Sequence, residues 1–233
     1  MATYNGGKYI KKQLESVLAN LSSADQVVIS DDGSTDDTLE IIKSFNDNRI
    51  QVLLGSHKGI NQNFATAIQH CEGDYIFLCD QDDVWNANKV DRILNVFRTT
   101  DCILVLHDAI IVNQNNDLLY PSFFSYRNMH TGIVRNWLRN CYHGCLMAFR
   151  KQLIRHILPI PSAGCLHDQW IGIIAEMYGK VIFHDEILMK YYRREDNASS
   201  FSHLPRHIQF RDRWILMCYL SKYIIKYRKG FTL

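Results

Sequence analysis

The 233-residue chain carries 26 Lys and Arg against 24 Asp and Glu, and a net charge of +2 argues against nucleic acid as its main partner. A hydrophobic fraction of 47% and a charged fraction of 21% are ordinary for a globular protein, and the length suffices for one full core. No apolar run reaches the roughly 18 residues needed to cross a bilayer and no leader pattern is visible, so a cytoplasmic or membrane-peripheral protein is expected.

The stretch Ala2-Thr3-Tyr4-Asn5-Gly6-Gly7 reads as the end of a strand and a turn with no strand before it, so the first strand is expected to be truncated. Lys8 to Asn20 carries Ile10, Leu14, Val17 and Leu18 at helical spacing. Gln26 to Ser30 reads as a short buried strand running into Asp31-Asp32-Gly33-Ser34-Thr35-Asp36, a turn that opens a helix. A strand follows at Ile50 to Leu54, then a helix at Asn61 to Cys71 with Phe64, Ala67, Ile68 and Cys71 on one face. Asp74 to Cys79 is a third strand ending in Asp80-Gln81-Asp82-Asp83; Asn86 to Arg98 is helical and Cys102 to Leu106 a further strand. Strand and helix alternating at this spacing predict an α/β fold with a mostly parallel sheet. In such sheets ligands sit beyond the carboxyl ends of the strands, where both acidic clusters fall.

The second half is less regular. Gly144 to Phe149, Val181 to Phe183 and Ile187 to Tyr191 read as strands, and Asp168 to Tyr178 as a helix. From Pro205 onward the chain reads as one helix with Phe210, Trp214, Met217, Cys218, Ile224 and Ile225 on one side. That helix either docks on the core or lies as a basic amphipathic helix on a membrane surface. From Glu186 to Leu233 there are ten Lys and Arg against four Asp and Glu. The seven cysteines are odd in number and scattered, as in a reduced protein with buried thiols. Cys141, His143 and Cys145 with Cys165 and His167 lack the paired spacing of a zinc site.

Asp80, Asp82 and Asp83 are three carboxylates within four residues, and such a cluster repels itself unless solvent or a cation relieves it. Carboxylates at a strand end suit Mg²⁺ or Mn²⁺, which retain water and bind substrate phosphates. Each cluster taken alone is equally a solvated turn capping the helix that follows. Taken together and in order, the motifs Thr3-Tyr4-Asn5, Val28-Ile29-Ser30-Asp31-Asp32-Gly33-Ser34-Thr35-Asp36 and Gly73-Asp74-Tyr75-Ile76 leading to Asp80-Gln81-Asp82-Asp83-Val84-Trp85 resemble family 2 glycosyltransferases. The Asp-Gln-Asp-Asp-Val-Trp form is most similar to the bacterial rhamnosyltransferase branch that builds cell-surface polysaccharide. The resemblance covers roughly residues 1 to 200.

The resemblance implies a GT-A fold over 1–203, to which the basic helix read at 204–233 is appended, and an inverting transfer from a dTDP- or UDP-sugar such as dTDP-rhamnose or a UDP-hexose. Thr3, Tyr4, Asn5 and Asp32 would hold the pyrimidine nucleotide, with Tyr4 stacking and Asp32 accepting the base N3–H. Asp82 would ligate Mg²⁺ or Mn²⁺, Asp80 would contact the ribose or the metal's water shell, and Asp83 is left to stabilise the turn. His167-Asp168-Gln169-Trp170 resembles the motif that supplies the base, with Asp168 taking the acceptor hydroxyl's proton. His167 then either orients Asp168 or packs, and Trp170 is either an acceptor wall or core. His143, before the Gly144 strand, is expected near the acceptor, and Asn61 and Asn63 either approach the nucleotide or cap their helix.

The departure from the family pattern is at Tyr191-Tyr192-Arg193-Arg194, where the resemblance leads one to expect a histidine often found in relatives and an ungapped match puts Arg194 at its position. A guanidinium ligates no cation but pairs with a diphosphate, a role open to Arg194 or Arg193. The implied acceptor is a glycan or polyprenyl-linked oligosaccharide at the inner face of the cytoplasmic membrane. The competing readings are a catalytically silent nucleotide-sugar or glycan-binding relative and a metal-dependent phosphohydrolase.

Overall fold

A computed structural model describes residues 1–55, 57–194 and 205–228. The first half alternates β1 (Ala2–Thr3), α1 (Gly7–Leu18), β2 (Val27–Asp31), α2 (Thr38–Ser44), β3 (Ile50–Leu54), α3 (Ile60–Gln69) and β4 (Tyr75–Phe77). Then come β5 (Val84–Trp85), α4 (Lys89–Thr99), β6 (Leu104–Val112), β7 (Leu118–Tyr120), α5 (Phe123–Arg127) and α6 (Ile133–Leu138). Last are β8 (Met147–Arg150), α7 (Ile154–Ile157), α8 (His167–Tyr178), β9 (Val181–Tyr192) and α9 (Arg206–Arg228).

Two sheets result. The first has the order β1-β2-β3 and is parallel, the second β4-β8-β6-β9-β5 with β7 paired to β6. The parallel pairing expected from alternating elements holds for β1 to β3 and for β6 with β9, while the remaining pairs of the second sheet are antiparallel. The stretch expected as two strands, 181–183 and 187–191, is one strand, β9, carried across register shifts beside His107 and Asp108. Gly144 to Leu146 forms a 3₁₀ turn before β8 in place of the first residues of the expected strand.

The long strand β6 forms the middle of the core, with alternate side chains on its two faces. Leu104 and Leu106 join Ile76, Phe149 and the helix residues Phe64, Ile171 and Ile174, and on the other face Val105 joins Ala148, Leu188, Ile93 and Phe97. Thus α3 and α8 cover one face and α4 the other. A third cluster seats the buried stripe Ile10, Leu14 and Val17 of α1 on β2.

Beside the two-residue β1 the sheets part. The Met1 ammonium donates to the Val28 carbonyl at 2.7 Å and Ser30 N–H to the Met1 carbonyl at 3.0 Å. A cleft of about 580 Å³ runs from there between β2 and β4, lined by Val27, Val28, Tyr75 and Ile76 among others.

The last helix differs from its expected orientation. Leu216 and Tyr223 are the residues sunk into the core, with Tyr219 and Leu220 partly buried beside them. Phe210 and Trp214, which the docked reading places on the packed face, are 67% and 64% exposed. The reason is the neighbour that α9 finds: the Trp137 indole N–H donates to Arg213 carbonyl at 3.0 Å and the Arg213 guanidinium to Leu138 carbonyl. Gly164 approaches Ile215 and Leu216 so closely that a Cβ there would collide with them. These ties turn the stripe 216, 219, 220, 223 inward, and periodicity within α9 alone does not identify it.

Candidate active site

The turns after β1, β2 and β4 and the N-terminus of α8 converge on one cavity of about 560 Å³. Of the residues singled out from the sequence, Thr3, Tyr4, Asp32, Asp80, Asp82 and Asp168 all line it, as do Asn63, His143 and His167. Asn5, Arg193 and Arg194 do not.

The two aspartates after β2 differ in role. Asp31 is buried and closes the turn: it accepts from the amides of Gly33 and Ser34 and from the hydroxyls of Ser34 and Thr3. Thr3 therefore lines the cavity with its hydroxyl already committed to Asp31. Asp32 accepts from the Gly59 amide through Oδ2 at 2.9 Å, while its Oδ1 is buried without a partner. A buried carboxylate oxygen with no donor is costly unless a ligand supplies one. Gly55 allows this approach, since a Cβ there would press on Asp31 O, Asp32 Oδ1 and Asn63 Oδ1.

Tyr4 stands 57% exposed over the cavity. Gln81 holds it from below: its amide oxygen accepts from Tyr4 N–H at 2.9 Å and its amide nitrogen donates to Tyr4 carbonyl at 3.1 Å. Asn5, in a left-handed conformation (φ 47°), serves as a clamp between turns. Its amide donates to Ser34 Oγ and its side-chain oxygen accepts from Thr35 N–H.

At the N-terminus of α8, Asp168 also lines the cavity and is 4% exposed. Burial pushes its carboxyl up to about 6 against the lowering effect of the Gln169 amide, Asn140 and the Gly144 backbone. Asn140 Nδ2 donates to Asp168 Oδ1 at 3.0 Å. Asn61 ties down the start of α8: its Oδ1 accepts from His167 N–H at 2.8 Å and its Nδ2 donates to the carbonyls of Pro161 and Cys165. The His167 ring stacks on Phe64 at 3.9 Å, and neither of its nitrogens has a hydrogen-bond partner. Burial holds His143 and His167 neutral, each pushed down to about 3. Gly144 is needed for this packing, since a Cβ there would lie 2.6 Å from His167 Nε2. Trp170 belongs to the core, with its indole N–H on Ile157 carbonyl at 2.8 Å.

The acidic turn after β4 contains three different environments. Burial, with the charges of Asp82 and Asp168, pushes Asp80 up to about 7. Asp83 is buried, accepts from Tyr192 N–H at 3.2 Å, and is raised well above the carboxylate range by burial and by Asp82 and Asp80. Cys145 lies close by, its ligand atom within 4.8 Å of those of Asp80 and Asp83, and its thiol is pushed well up by burial and both carboxylates. Asp82 has its carboxylate in an ion pair with Arg194 at 2.5 Å. The zinc arrangement weighed for the Cys141–Cys145 and Cys165–His167 pairs does not assemble among the described residues, where Asp80, Asp83 and Cys145 are the group with ligating geometry.

Sequence reasoning missed the site roles of Gln81 and Asn140 and of Phe64 and Tyr191, which also line the cavity. Gln81 lies inside the acidic motif and was within reach of it. Asn140 is 28 residues from Asp168, and no spacing rule points to it.

A family model described as Glycosyl transferase family 2 matches residues 1–158. The chain belongs to that family. Among family members, it is 35% identical over 217 residues to the dTDP-rhamnosyl transferase RfbG of Shigella flexneri, covering 84% of this chain and 72% of the relative. It is 25% identical over 216 residues to the UDP-Glc:alpha-D-GlcNAc-diphosphoundecaprenol beta-1,3-glucosyltransferase WfgD of Escherichia coli, covering 88% and 81%. The crystal structure of S. aureus TarS 1-349 in complex with UDP-GlcNAc superposes with a TM-score of 0.72 at 19% identity, covering 91% of this chain and 62% of that one. This likeness establishes the GT-A fold.

Proposed function

We propose that the chain transfers a sugar from a pyrimidine nucleoside diphosphate sugar to an acceptor hydroxyl, with inversion, in the synthesis of a surface polysaccharide. The observation that carries this reading is one cavity lined by an aromatic ring (Tyr4), an unpartnered carboxylate oxygen (Asp32) and, from α8, the buried carboxylate of Asp168, raised to about 6. Tyr4 and Asp32 suit a stacked base whose N–H points at Asp32. Asp168 suits a general base, since a base whose pKa lies near the working pH transfers protons most effectively. Asp168 takes the proton of the acceptor hydroxyl as that oxygen attacks the anomeric carbon, and the nucleoside diphosphate leaves from the opposite face. The imidazoles of His143 and His167, held neutral by burial, line the same cavity and add no positive charge to it.

The acidic turn fits a divalent cation. Asp80 and Asp82 both face the cavity, and Asp80 is held up near 7 partly by the charge of Asp82, a repulsion that a cation removes. Asp82 and Asp80 would hold it, and Mg²⁺ or Mn²⁺ bound there supplies charge neutralisation to the departing diphosphate.

The relatives named as acting on dTDP-rhamnose and UDP-glucose support rhamnose or a hexose as the sugar, and the diphosphoundecaprenol in the second relative's name supports a lipid-linked acceptor. An acceptor of that kind sits at a membrane surface. The exposed Phe210 and Trp214, with exposed Arg206, Arg211 and Lys222 on the same helix, suit contact with an anionic leaflet. No helix among the described residues is long and apolar enough to cross a membrane.

Calorimetric titration of dTDP-rhamnose, UDP-glucose, UDP-galactose, UDP-N-acetylglucosamine and GDP-mannose, each with Mn²⁺ and with EDTA, tests the reading. Binding of one pyrimidine donor, followed by its turnover with a polyprenyl-diphosphate-linked sugar, is the expected result. A folded protein that binds none of them is a silent relative, and release of free sugar without an acceptor identifies a hydrolase.

A further inference from the structure

Arg194 lies two residues beyond the end of β9, and its side chain is 5% exposed. Its two terminal nitrogens reach Asp82 Oδ2 and the Asp82 carbonyl oxygen, both at 2.5 Å. The guanidinium lies 3.9 Å from the centre of the Tyr9 ring and 5.1 Å from that of Tyr192. The carboxylate expected to ligate a divalent cation is therefore already held by a buried cation of the protein itself, packed between two aromatic rings. Asp82 opens on the cavity on its other side.

A guanidinium and a divalent ion do not share one carboxylate comfortably. A hard cation such as Mg²⁺ requires its oxygen ligands at about 2.1 Å, which would set two positive groups a few ångströms apart in a poorly solvated corner. One must give way. A nucleoside diphosphate offers Arg194 what Asp82 offers now, paired anionic oxygens that match a planar fork of N–H donors.

We propose that Arg194 is a displaceable counter-ion that gates the cation site: it masks Asp82 until a nucleoside diphosphate draws it away, so that cation and nucleotide bind cooperatively. This rests on the reading of the cavity as a nucleoside diphosphate site. Coupling of this kind is reciprocal, so Mn²⁺ strengthens nucleotide binding by the factor with which the nucleotide strengthens Mn²⁺ binding. The gate keeps a free divalent ion from occupying the site ahead of the donor. In the resting protein Arg194 supplies the charge compensation that a bound metal would otherwise supply.

The test is Mn²⁺ binding followed by electron paramagnetic resonance of the free ion, with and without UDP or dTDP, in the wild type, Arg194→Ala and Arg194→Met. The methionine keeps most of the volume over Tyr9 and guards against collapse of the site, and thermal melts establish that each protein is folded. The wild type is expected to bind Mn²⁺ weakly alone. Both variants should bind it about tenfold more tightly in the absence of nucleotide and show a correspondingly smaller gain on adding UDP. Equal Mn²⁺ affinity of wild type and both folded variants without nucleotide overturns the gate while leaving the cation site intact. UDP binding with no Mn²⁺ binding in any of the three proteins overturns the cation reading and the gate with it, and absence of UDP and dTDP binding overturns the nucleotide site itself.

Discussion

Asn140 and Asp168 meet across 28 residues of chain, the amide nitrogen donating to Oδ1 at 3.0 Å. The contact fixes the carboxylate's rotamer and lowers its proton affinity, against burial that raises it. The resulting value, about 6, leaves the group ionised at neutral pH yet basic enough to accept a proton. Transfer is expected to rise with pH through a limb near 6 and level off above it. Asp168→Asn should lose about 10²- to 10⁴-fold in kcat with donor affinity retained. Asn140→Ala removes a stabiliser of the ionised form, so the limb should move to higher pH. A pH–rate profile of the three proteins checks this, and a limb that stays in place in Asn140→Ala removes the positioning role of the amide.

The unpartnered Oδ1 of Asp32 and the exposed ring of Tyr4 make separable contributions to nucleotide binding. Asp32→Asn should weaken UDP or dTDP binding by about ten- to a hundredfold, because a charged acceptor is worth about 1.5–3 kcal/mol. Tyr4→Ala should weaken it by a comparable factor, from loss of about 1–3 kcal/mol of base stacking. Calorimetry with UDP and with ribose 5-phosphate separates the two sources: neither variant should change binding of the ligand that lacks a base.

His167 is held down to about 3 by burial and by His143, below the 6.5 it has when solvated. A folded-state value below the unfolded one means that the unfolded chain takes up the proton first. Stability is fully present above about 6.5 and is lost as pH falls from there toward 3. Asp168 acts in the opposite sense, its raised carboxyl favouring the folded state at pH below about 6. A His167→Phe variant keeps the stack on Phe64 and removes only the first effect. Urea unfolding of variant and wild type should therefore diverge in the variant's favour as pH is lowered from 7 to 4. A constant difference would show that His167 does not titrate on unfolding.

The close approach of Gly144 to His167 predicts that Gly144→Ala is disruptive despite its small size. The added methyl meets a ring held by Phe64 and the wall of the cavity, and overpacking of this kind costs about 1–3 kcal/mol. A lowered melting temperature together with reduced transfer is expected. Gly73→Ala, with only a distant Tyr75 carbonyl at 3.6 Å in reach of its Cβ, serves as the neutral control.

Membrane contact through α9 is checked by sedimentation with vesicles of phosphatidylglycerol and phosphatidylethanolamine. The wild type should bind and the double variant Phe210→Ser, Trp214→Ser should bind about tenfold less, since each buried apolar side chain contributes about 1.5–3 kcal/mol before the cost of ordering at the interface. Raising the salt should weaken the remainder, which comes from the basic residues.

The alternation of apolar stripes and turn residues determined the first half of this protein almost element by element. Ile10, Leu14 and Val17 face the core as their spacing requires, and Ile50–Leu54 is a strand with the expected limits. The ordered acidic motifs also determined the family and most of the cavity wall, because a strand end followed by a polar turn positions its side chains within a few residues of sequence. Tertiary structure alone decided the rest. Asp31 and Asp32 are neighbours with the same chemistry, and only the fold turns one into the turn and the other into the cavity. Asn140, Gln81 and Arg194 acquire their roles from partners 28, 77 and 112 residues away, and no local periodicity encodes such distances. The face that α9 buries was likewise decided by its contacts with α6 and Gly164, because a helix with apolar and charged residues interspersed around its axis has no preferred side until a neighbour supplies one.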